Sequence, residues 1–163
     1  MVGYIYMQLH TELQAPFIPE ERLLAIKERV QVIEKLFEQN ISTEEAICEL
    51  NEFTGRIYTE DNLRYYSAVE SLSTFCRKAA RQKPQRIPDV CREELIEIVR
   101  RAIPMTGDPD WEYYMELFDA QVAIPCASGL IFGPDDSTNV DLSTYNPTPE
   151  EIVDRALEYT TNI

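Results

Sequence analysis

The feature that most constrains the fold of this chain is the spacing of its apolar residues. From residue 19 to residue 40 they recur every three or four positions, the spacing with which a helix buries one face. The same spacing returns in segments that begin near residues 42, 59, 88, 108 and 148, whereas only Val2 to Met7 has the features of a strand. We therefore expect an all-α protein, a helical bundle of about six helices.

Signals for helix ends stand beside several of these segments. Residues 42–45 and 148–151 both have the composition of a capping box, and Gly55 is placed to end the second helix in a left-handed conformation. Apolar spacing continues through 59–79, which predicts one long third helix. Asp108 is the expected N-terminal cap of the fifth helix, with a proline after it.

The phase of the fifth helix predicts which of its residues face the core. Its inner stripe is expected to consist of Tyr114, Leu117, Phe118 and Gln121. That phase directs Trp111, Glu112 and Met115 toward a flank or toward solvent. The irregular segment 124–147 follows, and segments of this length without regular structure are often functional.

Composition and charge divide the chain near its middle. Two prolines interrupt the helical pattern in 83–88, which predicts a boundary between an N-terminal helical region, 1–86, and a second domain, 87–163. The first part carries 11 basic and 13 acidic residues, whereas the second carries 4 basic and 16 acidic residues. Almost all of the net charge of −14 therefore belongs to the second domain.

This acidic balance limits the classes of partner. A chain of this charge repels nucleic acid phosphates and anionic membranes, so a basic protein is the expected partner. We expect a cytoplasmic protein, because the sequence shows neither a signal peptide nor an apolar run of membrane-spanning length. Its four widely spaced cysteines are typical of reduced thiols rather than of a disulfide framework.

Catalytic and metal-binding patterns are weak in this sequence. The chain has a single histidine, His10, and Gly129 stands where a zinc deaminase pattern built on His10 and Cys126 would need its second cysteine. The acidic segment 135–141 does not follow the calcium-loop spacing, and five glycines offer no phosphate-binding loop. We therefore expect no catalytic residues, no metal site and no cofactor.

Four segments of the second half carry a resemblance to a known family. They are 92–99 (REELIEIV), 108–118, 128–134 (SGLIFGP) and 149–153 (PEEIV), in that order. This order resembles the immunity proteins of nuclease colicins and pyocins, in which a small four-helix domain binds the toxin's nuclease domain through an acidic second helix and a short third helix. The most specific element is Gly129-Leu-Ile-Phe-Gly-Pro134, where the family has Asp-Leu-Ile-Tyr-Tyr-Pro. The resemblance covers residues 87 to 159.

The resemblance implies a function and a site. It implies an immunity protein that binds and neutralises a cognate nuclease toxin, and it places Asp108, Trp111, Glu112 and Met115 on the face that sets specificity, with Phe132 at the first of the two family tyrosines. The first 86 residues have no counterpart in that small domain, and contact-dependent inhibition systems also use helical immunity proteins. An acidic helical adaptor or regulatory protein for a basic partner is the alternative, and the toxin's substrate stays open.

Overall fold

The computed structural model describes residues 8–134 and 141–159, and throughout these residues the regular structure is helical, without a strand. The expected all-α class is confirmed. The strand predicted for Val2 to Met7 lies outside the described residues. The α-helices are α1 (Glu20–Glu38), α2 (Glu44–Thr54), α3 (Glu60–Tyr65), α4 (Leu72–Ala79), α5 (Arg92–Ala102), α6 (Trp111–Gln121) and α7 (Pro149–Glu158). Short 3-10 segments lie at Thr11–Leu13, Tyr66–Ala68, Pro104–Thr106 and Ala127–Ile131.

The chain forms two compact units, and one is inserted into the sequence of the other. The inserted unit is Pro16–Lys83; the discontinuous unit combines Met1–Ala15 with Pro84–Ile163. The boundary at residue 83 lies close to the one expected at residue 86. The first fifteen residues, however, belong to the same unit as the second half of the chain, and local sequence patterns did not predict this.

In the inserted unit, α1 packs against α2, α3 and α4. Its side chains Ile26, Val30 and Ile33 are fully buried, as their helical spacing predicts. The ends of the unit are tied together, because the Nε of Arg81 donates to the carbonyl of Pro16 at 2.8 Å. Arg22 adds a similar bond across the unit, from its Nε to the carbonyl of Ala80, also at 2.8 Å.

The single long helix expected over 59–79 is wrong, since two helices occupy this stretch. Thr59 caps α3 as expected, but a 3-10 segment at Tyr66–Ala68 ends the first helical run. Ser71 then caps α4, its hydroxyl accepting the N–H of Thr74 at 3.2 Å. Val69, which the spacing placed inside, is consequently 85% exposed.

Other helix ends also differ from expectation. Thr43 directly precedes α2 with helical backbone angles and makes no capping hydrogen bond, so the box predicted at 42–45 is wrong. α5 begins at Arg92 rather than near residue 88, because Asp89 has a positive φ of 61°, which a right-handed helix cannot contain. Gly55 does end α2 with a φ of 75°, and Thr148 does cap α7 in a capping box with Glu151, as predicted.

In the discontinuous unit α5 is the central helix. Six successive residues of α5, 94–99, are buried, which requires neighbours on all sides. Helices α6 and α7 supply two of these neighbours, and the N-terminal segment places Leu9 and Leu13 in the same core. Gln121 of α6 holds the returning chain: its side chain accepts the N–H of Ile87 at 2.8 Å and donates to the carbonyl of Gln85 at 3.0 Å.

Among the described residues, no helix has both the length and the apolar character that crossing a membrane requires. Within the same residues, no three His, Cys, Asp or Glu side chains gather as they would around a metal ion.

Candidate protein-binding surface

The turn before α6 is built from local hydrogen bonds. Gly107 has a φ of 78°, a left-handed conformation that favours glycine, and ends the 3-10 segment Pro104–Thr106. The Asp108 carboxylate then accepts the N–H of Asp110 at 2.8 Å. Asp108 therefore stabilises the turn and is not the helix cap that the sequence predicted; the cap position belongs to Asp110, and α6 begins at Trp111. Met105 of this turn is 97% exposed.

The phase of α6 agrees with the prediction. Tyr114, Leu117 and Phe118 are buried in the core of the discontinuous unit. Trp111, Glu112 and Met115 are half-buried. They lie on the flanks of the helix, as expected, and Met115 packs partly against the core. The first two turns of α6 thus present an aromatic ring, a carboxylate and a thioether close together in the sequence.

Phe132 lies in a different element, at the end of the 3-10 segment Ala127–Ile131, and is 58% exposed. The segment is anchored to α6, because the carboxylate of Asp119 accepts the N–H of Ser128 at 2.7 Å and its hydroxyl at 2.8 Å. The segment is also bound by the chain that precedes α7, because the hydroxyl of Tyr145 donates to the carbonyl of Leu130. These bonds hold Phe132 on a structured surface rather than on a free loop.

A second exposed apolar side chain, that of Leu142, lies beside Gly133, the residue that follows Phe132. Leu142 approaches Gly133 closely: a Cβ at Gly133 would lie 3.5 Å from its Cδ2. Leu142 is itself exposed. The neighbouring carboxylate of Asp141 accepts the hydroxyl and the N–H of Ser143, and these hydrogen bonds hold the pKa of Asp141 below its usual value. Asp141 therefore stays charged beside the apolar pair.

A buried carboxylate organises the core side of this unit. Glu97 is fully buried and pairs with Arg100 and with Arg101, the latter at 3.1 Å. Arg101 also donates to the hydroxyl oxygen of Tyr114 at 3.2 Å, and the same oxygen accepts the N–H of Ala15 at 3.2 Å. Burial lowers the pKa of Arg101, but its hydrogen bonds to Tyr114 and Glu97 raise the pKa more, so it stays charged. This network joins α5, α6 and the N-terminal segment.

His10, which the sequence offered as the only candidate for histidine chemistry, has a structural partner. Its Nδ1 lies 2.8 Å from Oε1 of Glu94, whose side chain is almost fully buried. The other oxygen of Glu94 accepts the N–H of Cys91 at 3.0 Å, which helps to cap α5. His10 thus ties the N-terminal segment to the first turn of the central helix.

The arginines of the discontinuous unit are engaged with carboxylates of the same unit. The pairs are Arg92 with Asp154, Arg100 with Glu97 and Glu150, Arg101 with Glu97, and Arg155 with Glu158. By sequence this unit has 17 acidic residues and only one further Arg or Lys, Arg86. Its acidic residues therefore outnumber its lysines and arginines by twelve.

The acidic residues of this unit are concentrated in one stretch of sequence. Residues 102–154 contain eleven acidic residues and no Lys, Arg or His. This stretch includes α6 and the anchored segment that ends at Phe132. Exposed apolar side chains and an excess of acidic residues therefore occur in the same stretch, a combination that suits a basic protein with apolar pockets.

The five residues predicted for the site divide into two groups. Asp108, Trp111, Glu112 and Met115 lie together at the start of α6, whereas Phe132 belongs to the anchored 3-10 segment. Sequence reasoning missed Met105 and Leu142, although both are more exposed than Phe132. Helical periodicity does not apply to turns and loops. The signal that could have found these residues is their position: Met105 directly follows Pro104, and Leu142 lies within an otherwise polar loop.

Comparisons with protein-family models, with curated proteins and with solved structures give no match for this chain. The resemblance to nuclease immunity proteins therefore stays a prediction.

Proposed function

We propose that this chain is an immunity protein that binds a basic bacterial nuclease toxin stoichiometrically through the acidic and apolar surface of its discontinuous unit. The toxin belongs to a bacteriocin or a contact-dependent inhibition system. A nuclease must be basic to hold nucleic acid phosphates, so it is the natural complement of this surface.

One observation carries the proposal: the 53 residues from 102 to 154 lack any cation, and the same stretch holds Met105, Phe132 and Leu142 exposed. An excess of acidic residues attracts a basic partner and accelerates its association, while apolar anchors determine how slowly it dissociates. Both contributions are needed for a tight inhibitor, since charge alone gives rapid but weak binding.

The proposed contact surface has two parts. Trp111 and Met115 supply large apolar groups beside the carboxylate of Glu112, and Phe132 supplies an aromatic side chain on a rigid support. A side chain on a fixed backbone loses less conformational entropy when a partner binds, and this favours tight binding. Asp108 acts less directly, because its carboxylate shapes the turn from which α6 starts.

The test is co-expression with candidate toxin nuclease domains, scored by survival of the host and by isolation of a one-to-one complex. In vitro, nuclease activity should fall linearly with added protein until the two are equimolar. Association should slow steeply with added salt, because surface charges are screened beyond about 10 Å at 0.1 M ionic strength. Failure to protect against any basic nuclease domain, or association that is indifferent to salt, would overturn the proposal.

Single substitutions locate the contact. Trp111→Ala and Phe132→Ala should each weaken binding by about 2 kcal/mol, roughly 30-fold in Kd, as buried aromatic anchors do. Val32→Ala is the matched control, because Val32 is an exposed apolar residue of the inserted unit. It should leave binding unchanged. If all three variants bind equally well, the proposed surface is wrong.

A second candidate is an acidic helical adaptor that joins a basic protein to another partner. The observation that favours it is that the inserted unit also exposes large apolar side chains, among them Phe17 and Ile57. An adaptor would bind its basic partner without abolishing that partner's activity, which the titration above measures directly.

A further inference from the structure

The inserted unit has a groove of its own, with a volume of about 690 Å³. It lies among the loop that follows α2, the helix α3 with its 3-10 extension, and the C-terminal end of α4. Four aromatic side chains line it, Tyr58, Tyr65, Tyr66 and Phe75. The ring centroids of Tyr58 and Phe75 are 5.0 Å apart, and those of Tyr66 and Phe75 are 4.7 Å apart. The volume suits a short segment rather than a folded domain.

Large apolar side chains that are poorly buried also line this groove. Ile57 is 91% exposed, Tyr65 62% and Val69 85%. Single exposed apolar residues are ordinary on protein surfaces, but three that line one groove with an aromatic lining mark a contact site.

The loop that carries Ile57 is fixed on both sides. Arg56 donates from Nε to the carbonyl of Arg81 and from Nη2 to the carbonyl of Lys78, each at 2.9 Å. The amide side chain of Asn51 brackets Tyr58, accepting its N–H at 2.8 Å and donating to its carbonyl at 3.0 Å. Ile57 is thus held outward by its two neighbours, and little conformational freedom is left to lose when a partner binds it.

The position of Val69 also follows from fixed backbone. The N–H groups of Val69 and Glu70 both donate to the carbonyl of Tyr66 at 3.0 Å, and this closes the turn between α3 and α4. An uninterrupted helix would have buried Val69, as its spacing predicts. The break in the helix is therefore what places Val69 at the groove.

The charges at the groove differ from those of the acidic surface. Arg56, Lys78 and Lys83 line it, against Asp61 and Glu70, so the lining is net positive. Glu70 is already opposed by Lys78, whose Nζ lies 3.6 Å from its carboxylate. Lys83 is exposed near the end of α4. A basic protein gains nothing from this lining, whereas a carboxylate does.

We propose that this groove binds a short apolar peptide segment of a second protein, one that carries acidic residues beside its apolar anchors. The apolar side chains of the segment pack on the aromatic lining and against Ile57 and Val69, and its carboxylates face Lys78 and Lys83. The occupant is therefore chemically opposite to the partner of the discontinuous unit, and the two surfaces serve different proteins.

The probe is a library of random twelve-residue peptides displayed on phage and selected on the immobilised full-length chain. Enriched sequences should combine two or more large apolar residues with Asp or Glu. As synthetic peptides they should bind the Ile57→Asp and Val69→Asp variants at least tenfold more weakly than the unchanged protein. Lys83→Glu should remove the preference for acidic over basic versions of the same peptide.

Val32→Asp is the matched control, since it adds the same charge at an exposed apolar position of α1 that does not line the groove. It should bind the peptides normally, and circular dichroism should show that all four variants keep their helices. The proposal is overturned if no apolar and acidic peptide is enriched, or if Ile57→Asp binds the enriched peptides as well as Val32→Asp does. Enrichment of Lys-rich and Arg-rich peptides alone also overturns it.

Discussion

The two units use their cations in different ways. In the inserted unit, which has 10 basic and 12 acidic residues by sequence, arginines hold main-chain carbonyls: Arg22 that of Ala80, Arg56 those of Lys78 and Arg81, and Arg81 that of Pro16. In the discontinuous unit, with 5 basic and 17 acidic residues, arginines pair with carboxylates. Arginines that bind carbonyls thus tie the loops of the inserted unit, although Arg64 and Lys78 of this unit also pair with Glu60 and Glu70. The discontinuous unit uses its arginines chiefly to pair with acids.

The two units also differ in net charge. The inserted unit has a net charge of only −2 by sequence, and Arg56, Lys78 and Lys83 line its groove. The discontinuous unit has a net charge of −12, because its 17 acidic residues far outnumber its five basic ones. Two surfaces of different sign on one chain are the result.

The largest effect is expected from the core residue that the N-terminal segment contributes. Leu13→Ala should lower the free energy of unfolding of the discontinuous unit by about 2–5 kcal/mol, because it leaves a cavity beside α5 and α6.

Two probes measure this effect separately in the two units. Fluorescence of Trp111, the only tryptophan, reports urea unfolding of the discontinuous unit. Reaction of the buried Cys76 thiol reports the inserted unit. Equal shifts in both probes would show that the two units unfold as one.

A smaller loss is expected from the buried ion pair. Glu97→Gln should destabilise the discontinuous unit by about 2–3 kcal/mol, since it leaves Arg101 and Arg100 without their buried counter-charge, though both reach solvent in part. Arg56→Gln in the inserted unit is the contrasting variant, because it removes hydrogen bonds to the main-chain carbonyls of Lys78 and Arg81. An equal or larger cost for Arg56→Gln would contradict the distinction between the two uses of arginine.

Cys76 should make the inserted unit sensitive to alkaline pH. Burial raises the pKa of its thiol to about 11 from an ordinary value of 9.0, so the folded state favours the neutral thiol. This contribution is fully present below pH 9 and is lost as the pH rises through 11; it amounts to about 2 kcal/mol. Burial, with the hydrogen bond to Glu34, also raises the pKa of Tyr66, which adds a loss at still higher pH.

Urea unfolding between pH 8 and pH 11 measures this dependence. The curve for Cys76→Ala should be flatter than that of the unchanged protein across the window from pH 9 to pH 11. The exposed Cys48 of the same unit supplies the control, since Cys48→Ala should leave the slope as it is. Identical slopes for the two variants would show that Cys76 does not titrate with unfolding.

The smallest effect is expected at an exposed ion pair. The hydrogen bonds from Arg92 hold the pKa of Asp154 below its usual value, so the contribution of this pair is present above about pH 4 and is lost as the pH falls further. Arg92→Ala should return the pKa of Asp154 to its ordinary range, as NMR titration can measure, with little change in stability at neutral pH. An unchanged pKa would mean that the pair does not persist in solution.

Local sequence signals predicted the helices whose apolar spacing is uninterrupted. α1 and α7 lie where periodicity placed them, and the box of Thr148 with Glu151 forms as expected. The break between α3 and α4 was missed, because Ser71 looks like an ordinary residue within a periodic run while it in fact caps a new helix. A capping residue inside a periodic run can either start a new helix or remain within one long helix. Tertiary packing decides between these outcomes, and a local sequence pattern does not reveal that packing.

The candidate site was predicted in part for a similar reason. The phase of α6 correctly placed Trp111 and Met115 on its flanks, because helical geometry fixes which residues share a face. The contact of Ala15 with Tyr114 joins residues 99 positions apart, so no local pattern could reveal it. The groove of the inserted unit was missed because Ile57 lies in a loop and Val69 was assigned to a buried face.

The order of the chain also sets an order of assembly. All 68 residues of the inserted unit are present once Lys83 has been synthesised. Folding of this unit holds Pro16 beside Arg81, so the segments on either side of it are brought close together. Leu9 and Leu13 precede the inserted unit in the sequence, yet the helices that pack against them follow it. We therefore expect the core of the discontinuous unit to close only after α7 has been made, later than the groove of the inserted unit forms.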